Sequence, residues 1–214
     1  MKRYIKSTVI QPLEEESIQD QASIVRTTDD VNLIMQAIDN NSNWEVIVAA
    51  LCNPNAPIEV VDKFLSNQYY AQRLAFDPTV SSEVLRRIYH KAVPTTILEL
   101  LAQNDNTPSD ILDDLFENYP KFRGYIAMNP NISQGLLNQL VHHDSASIRS
   151  SVALNSAISE EDLIKLSTDS NEEVRAAVAS NHNTPIEILN HLLLDEYNGP
   201  RFCARVTLRD LGEL

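Results

Sequence analysis

The sequence predicts an all-α solenoid, and three observations predict it. One unit recurs along the chain around a polar anchor: Asn53, Asp77, Asn104, Asn129, Asn155 and Asn181, spaced 24, 27, 25, 26 and 26 residues apart. Before each anchor apolar residues fall at helical spacing, and after it a turn rich in Pro, Asn, Ser and Thr leads into a second apolar stripe. Two short helices in a unit of this length cannot bury both stripes alone, so each unit has to stack on its neighbours. The expectation is about six full two-helix repeats with partial capping repeats at both ends.

The columns define the first helix of each unit. Seven residues before the anchor stand Val46, Tyr70, Ile97, Phe122, Ile148 and Val174; three before stand Ala50, Leu74, Leu101, Ile126, Val152 and Val178; two before, a small or apolar residue from Leu51 to Ala179. That spacing is one face of about two helical turns. The anchor suits the chain reversal that follows, because an Asn side chain bonds nearby backbone groups that a helix end leaves without partners.

Second helices announce their starts chemically. Thr107-Pro108 and Thr184-Pro185 place a hydroxyl before a proline, which suits a capping residue followed by the first helical position. Ser81, Ser133 and Ser159 are expected to cap the other helices, and Glu160, Glu161 and Asp162 add negative charge at a helix N-terminus. Apolar pairs then follow eight and eleven residues after each anchor: Val61 and Phe64, Leu85 and Ile88, Leu112 and Leu115, Leu137 and Leu140, Leu163 and Leu166, Leu189 and Leu192.

The ends depart from the pattern. Residues 1–26 are expected to form a poorly ordered arm or a short extended segment, in which Tyr4, Ile5, Val9 and Ile10 could pair as a short strand. The solenoid is expected over 27–214: an N-terminal half repeat at 27–45, repeats over 46–197 and a C-terminal cap at 198–214. Trp44 is expected to shield the end of the core. Glu196 to Pro200 reads as a helix stop, and Phe202 and Val206 repeat the first-helix spacing.

Charge narrows the classes of partner. A net charge of −13 argues against nonspecific binding to DNA or acidic membranes and suits a basic partner. The segment from Ala92 to Pro120 has no Lys or Arg but holds Glu99, Asp105, Asp110, Asp113, Asp114 and Glu117, the best candidate for electrostatic recognition. Its bland reading is a solvated helix face. Tyr69 is expected to point outward and could anchor an interface. Arg123, Arg149 and Arg175 each stand six residues before an anchor. Three aligned arginines demand counter-charges, for which Asp169, Glu172 and Asp144 are near enough, so a structural salt-bridge ladder is expected, with an anion site as the alternative.

The run Val174 to Leu192, VRAAVASNHNTPIEILNHL, shows the unit most fully: a Val-Arg pair, an apolar-Ala step, Asn-x-Asn-Thr-Pro, then Leu-x-x-Leu. It resembles the variant leucine-rich repeat family, and the resemblance covers about residues 30 to 210. It implies a short helix paired with a longer one in a right-handed superhelix without strands. The first three units depart from it, carrying Ile47, Ala71 and Leu98 where the Arg stands. Some members of the family have a cysteine-rich iron–sulphur segment; this sequence holds none, so no cofactor is expected. HEAT-like units are longer.

No reaction is written in the residues. His90, His142, His143, His182 and His191 form no HExxH arrangement, and the adjacent His142 and His143 make a poor metal site. Four glycines at 124, 135, 199 and 212 leave no phosphate loop. Cys52 and Cys203 are far apart, no disulfide is expected, and without a signal or membrane-spanning run a cytoplasmic location is the default. The reading is a non-catalytic protein-interaction scaffold with no metal and no cofactor, binding a basic protein through an acidic surface, with an immunity or inhibitor protein for a toxin as one form. The alternative class is a nucleic-acid-binding protein like the helical-repeat DNA glycosylases, for which only the Arg row offers a basic feature.

Overall fold

The computed structural model describes residues 16–40, 43–91 and 93–214, and these residues are all-helical, with no strand among them. The chain divides into two compact units, Met1–Lys91 and Ala92–Leu214. None of the described helices is long and apolar enough to cross a membrane.

In the first unit lie α1 (Ile18–Thr27), α2 (Val31–Asn40), α3 (Trp44–Leu51), α4 (Ile58–Phe64), α5 (Gln68–Phe76) and α6 (Ser82–Tyr89). α1 packs on α3 and α3 on α5, with α2 and α6 against them. Side chains fix the starts: Ser17 accepts from the Asp20 N–H, Asn43 from Glu45, Asn67 from Tyr69 and Ser81 from Val84. Each satisfies a donor that the first helical turn leaves without an intrahelical partner.

The second unit holds α7 (Thr95–Gln103), α8 (Ser109–Asn118), a 3-10 turn at Pro120–Phe122, α9 (Arg123–Met128), α10 (Gln134–Leu140), α11 (Ala146–Ala153), α12 (Glu160–Leu166), α13 (Glu172–Ser180), α14 (Ile186–Leu192) and α15 (Asn198–Asp210). Here α7, α9, α11, α13 and α15 pack each on the next. Ser133 and Ser159 cap α10 and α12 as their positions predict.

The two stripes meet in the core. Every residue of the columns two and three before the anchor is buried, as are eleven of the twelve second-helix residues. Phe64 is the exception; half-buried, it meets the Tyr70 ring edge-on at 4.8 Å, while Leu65 takes the buried place beside it.

Several expectations need correction. Residues 18–26 are not an arm: they belong to α1, whose Val25 is fully buried against its neighbours. The 27–45 segment holds the end of α1, α2 and the start of α3, and α1 contacts α2. The cluster Tyr4, Ile5, Val9 and Ile10 lies outside the described residues. With α1 packed on α3, Trp44 is not an end shield, and it is 36% exposed.

Thr107 and Thr184 do not cap. Their hydroxyls donate backwards to the carbonyls of Leu101 at 2.7 Å and Val178 at 2.6 Å, and α8 and α14 have no side-chain cap. A buried carbonyl at the end of the preceding helix wins the hydroxyl. Asn198 to Pro200 is not a stop but the first turn of α15, where the missing proline N–H breaks no bond. Within α15 the buried positions are Pro200, Ala204, Thr207 and Leu208, whereas Phe202 is 67% exposed and Val206 39%.

Candidate functional site

The anchor column is structural. Asn155 is fully buried; its Nδ2 donates to the Ala127 carbonyl at 2.8 Å and the Asn129 carbonyl at 2.9 Å, and its Oδ1 accepts from the Ala157 N–H at 2.7 Å. Asn129 reaches Ala102 and Asn104 in the same way, Asn181 reaches Ala153 and Asn155, and Asn53 reaches Val25 and Thr28. Asn104 is buried and accepts from the Asn106 N–H at 2.9 Å. Each of these four Asn donors joins one helix end to the end of the neighbouring first helix, 25 to 28 residues earlier in the chain. The last rung was missed: Thr207, 26 residues after Asn181, donates its hydroxyl to the Ala179 carbonyl at 2.7 Å.

Asp77 breaks the column, since a carboxylate cannot donate. Instead it receives Arg26 through both terminal nitrogens, at 2.9 and 3.0 Å, and Thr79 through its N–H and its hydroxyl. Thr79 also receives an Arg26 nitrogen. Burial pulls the Asp77 pKa up, but the hydrogen bonds from Arg26 and Thr79 outweigh it and hold the carboxyl below its ordinary value. The thiol of neighbouring Cys52 is pushed up to about 12, first by burial and then by the Asp77 charge.

The arginine row splits. Arg149 grips Asp169 through Nε and Nη2 at 2.7 and 2.8 Å, and Arg175 grips Asp195 at 2.7 and 3.0 Å. Each remaining nitrogen donates to a carbonyl, of His143 and Asp144 for Arg149 and of Asp169 for Arg175. Both aspartates are held below the usual carboxylate range, chiefly by these arginine bonds. Asp144 gives Arg149 its carbonyl and the pull of its charge without an ion pair, and Glu172 pairs with neither arginine. Arg201, 26 residues after Arg175, continues the row by donating to the Asp195 carbonyl and to Asn198, which sequence spacing alone could have revealed.

Arg123 differs. Its Nε donates to the Phe116 carbonyl at 3.1 Å and its guanidinium stands 4.8 Å from the Phe116 ring. Among the described residues no carboxylate forms an ion pair with it. It lines a cavity of about 370 Å³ in the second unit together with Asp113, Phe116, Glu117, Ser133, Gly135, Leu136 and Gln139.

Five of the six acidic candidates fall on two helices, and Asp105 lies in the turn between them. Glu99 is half-buried on α7; Asp110, Asp113, Asp114 and Glu117 are on α8, which carries no basic residue. Asp110, Asp114 and Glu117 lie along one stripe at spacings of four and three. Asp113 accepts from the Ser133 hydroxyl at 2.9 Å and Asp114 from the Asn118 amide at 3.1 Å, whereas Glu117 is exposed.

Tyr69 belongs to the first unit and is 42% exposed. It meets Trp44 edge-on at 6.2 Å, and the Arg73 guanidinium lies 4.3 Å over the Trp44 ring and 5.3 Å from Tyr69. Trp44, Arg73 and the exposed Phe76 border a groove of about 390 Å³ across α1, α3 and α5. Neither Trp44 nor Arg73 carried a binding signal in the sequence, because only the packing of α3 against α5 brings them together.

Of the adjacent histidines, His143 accepts the Ser145 N–H at its Nδ1, and the His142 Nε2 is 2.6 Å from the Lys165 Nζ. Among the described residues no group of three or more His, Cys, Asp or Glu side chains is placed to hold a metal ion. No protein-family model matches the chain, and no curated protein matches it.

Proposed function

We propose that the chain is a non-catalytic protein-binding α-solenoid that takes a basic protein partner on the acidic face of α8. Its units are the helix pairs from α1/α2 to α13/α14, closed by α15, one pair more at the N-terminal end than the repeat pattern alone suggests. The right hand of the superhelix follows from the resemblance to variant leucine-rich repeats.

The observation that carries the reading is the concentration of carboxylates on α8, which holds Asp110, Asp113, Asp114 and Glu117. Asn53, Asn129, Asn155 and Asn181 spend their amides on backbone carbonyls, and Arg149 and Arg175 spend their charge on Asp169 and Asp195. The α8 stripe Asp110, Asp114 and Glu117 has no basic residue on its own helix. A concentration of one charge sign at a protein surface steers an oppositely charged partner. The nucleic-acid reading is weakened because Arg149 and Arg175, two of the three arginines it needs, are paired with Asp169 and Asp195.

Reversing Asp110, Asp114 and Glu117 to Lys tests this on the purified protein and the partner it captures. The association rate at low salt should fall by about tenfold or more, and its salt dependence should flatten. An unchanged rate and an unchanged salt slope would refute the assignment to α8.

A further inference from the structure

We infer that the cavity at Arg123 is a binding site for a small zwitterion of the amino-acid type, in which Arg123 takes a carboxylate and Asp113 with Glu117 takes an ammonium group. The site shares Glu117 with the proposed protein-binding face, but it needs one small ligand and no second protein.

The repeat supplies its own controls. Twenty residues after Arg149 and Arg175 stand their counter-ions, Asp169 and Asp195; twenty after Arg123 stands His143. Arg123 is therefore the member of these three whose aspartate the sequence withholds. Its Nε is held by the Phe116 carbonyl, and among the described residues its two terminal nitrogens have no hydrogen-bond partner. Such a fork of N–H donors matches a carboxylate.

A second departure opens the space. Six residues after the anchors stand Glu59, Glu83, Asp110, Glu161 and Glu187, but after Asn129 stands Gly135. The backbone of Gly135 is helical and its φ is not positive, so the conformation does not call for glycine. A Cβ placed there would meet nothing within 4 Å. The missing side chain leaves room at the cavity wall.

The remaining lining completes the complement. Asp113 and Glu117, one turn apart on α8, present two carboxylates, of which Asp113 has one oxygen held by Ser133. With Arg123 the lining carries one net negative charge, so an anion alone meets repulsion from α8 and a cation alone leaves Arg123 unpaired. A ligand bearing both charges answers both. α10, which faces them with Gly135, Leu136 and Gln139, has no charged residue. Phe116 and Leu136 give an apolar wall for a side chain, and the volume of about 370 Å³ lies in the range of small-ligand sites.

Calorimetric titration of the full chain with each of the common L-amino acids, and with acetate and methylammonium as single-charge controls, tests the site. At least one amino acid should bind saturably at millimolar concentration or below, and both controls should fail. Gly135→Glu and His143→Asp, which restore what the other units carry and so preserve the fold, should each weaken that binding by about tenfold or more. Circular dichroism on both variants checks that they remain folded. The proposal is overturned if no amino acid binds, if acetate or methylammonium binds as well, or if both folded variants bind like the original.

Discussion

Replacing Asn155 with Ala removes three hydrogen bonds from a fully buried position, to the carbonyls of Ala127 and Asn129 and from the N–H of Ala157. At about 1 kcal/mol net for each, the loss is about 3 kcal/mol, rising toward about 5 kcal/mol if the stranded carbonyls stay dry. Asn155→Asp keeps the size and the acceptor but turns a carboxylate oxygen toward two carbonyl oxygens. It should therefore cost at least as much as the alanine at pH 7. Asp77 shows what makes an aspartate tolerable in this column: the two bonds from Arg26, for which Asn155 has no counterpart. Urea unfolding followed by circular dichroism measures both variants through the shift in midpoint. A loss below about 0.5 kcal/mol for the alanine, or an aspartate variant as stable as the original, would refute the claim that these anchors hold successive helix ends together.

Leu166→Ala should cost about 2–5 kcal/mol in the same assay, since Leu166 is 3% exposed, and an unchanged midpoint would mean that its column is not core. Asp169 and Asp195 have depressed pKa values, so the stability they contribute is complete above about pH 4 and is lost as pH falls through their folded values. The Asp169→Asn, Asp195→Asn double variant should be less stable at neutral pH and lose less on acidification; a parallel pH curve would contradict the pairing. With its pKa near 12 and its side chain buried, Cys52 should resist alkylation at pH 8 until the protein is unfolded, while Cys203 reacts in the native state. Mass spectrometry of the labelled protein distinguishes them, and Cys52 reacting first would overturn the assignment.

Much of the core was legible because it is periodic. Ala102, Ala127, Ala153 and Ala179 must be small where helices pack, and Leu137, Leu163 and Leu189 recur at one distance from the anchor. α1 was not legible. IQDQASIVRT is mostly polar, and its unit lacks the anchor asparagine; the clue was Val25, 28 residues before Asn53 as Ala127 is before Asn155. Thr107 and Thr184 were misread because a hydroxyl before a helix fits a cap equally well on local grounds, and the competing buried carbonyl is visible only in three dimensions. Phe202 and Val206 were misread for a related reason: their spacing is helical, but the face it marks is set by the Pro200, Ala204 and Thr207 side of α15.

The site residues divide along the same line. Arg149 and Arg175 were expected to find carboxylates, and Asp169 could be named from sequence, but Asp195 could not be distinguished from Glu172 or Asp144 without the geometry. The cavity at Arg123 depends on two omissions, the side chain absent at Gly135 and the aspartate replaced by His143, and an omission carries weight only once the regular unit is aligned in space. Trp44 and Arg73 lie in separate helices, so their stacking had no sequence signal at all.

Capture of partners from a native cell lysate by the tagged protein, at low and at moderate salt, with bound proteins and nucleic acids both identified, tests the interaction reading most directly. One basic protein should be retained at low salt and released as salt rises. Nucleic acid retained without any protein partner would contradict that reading.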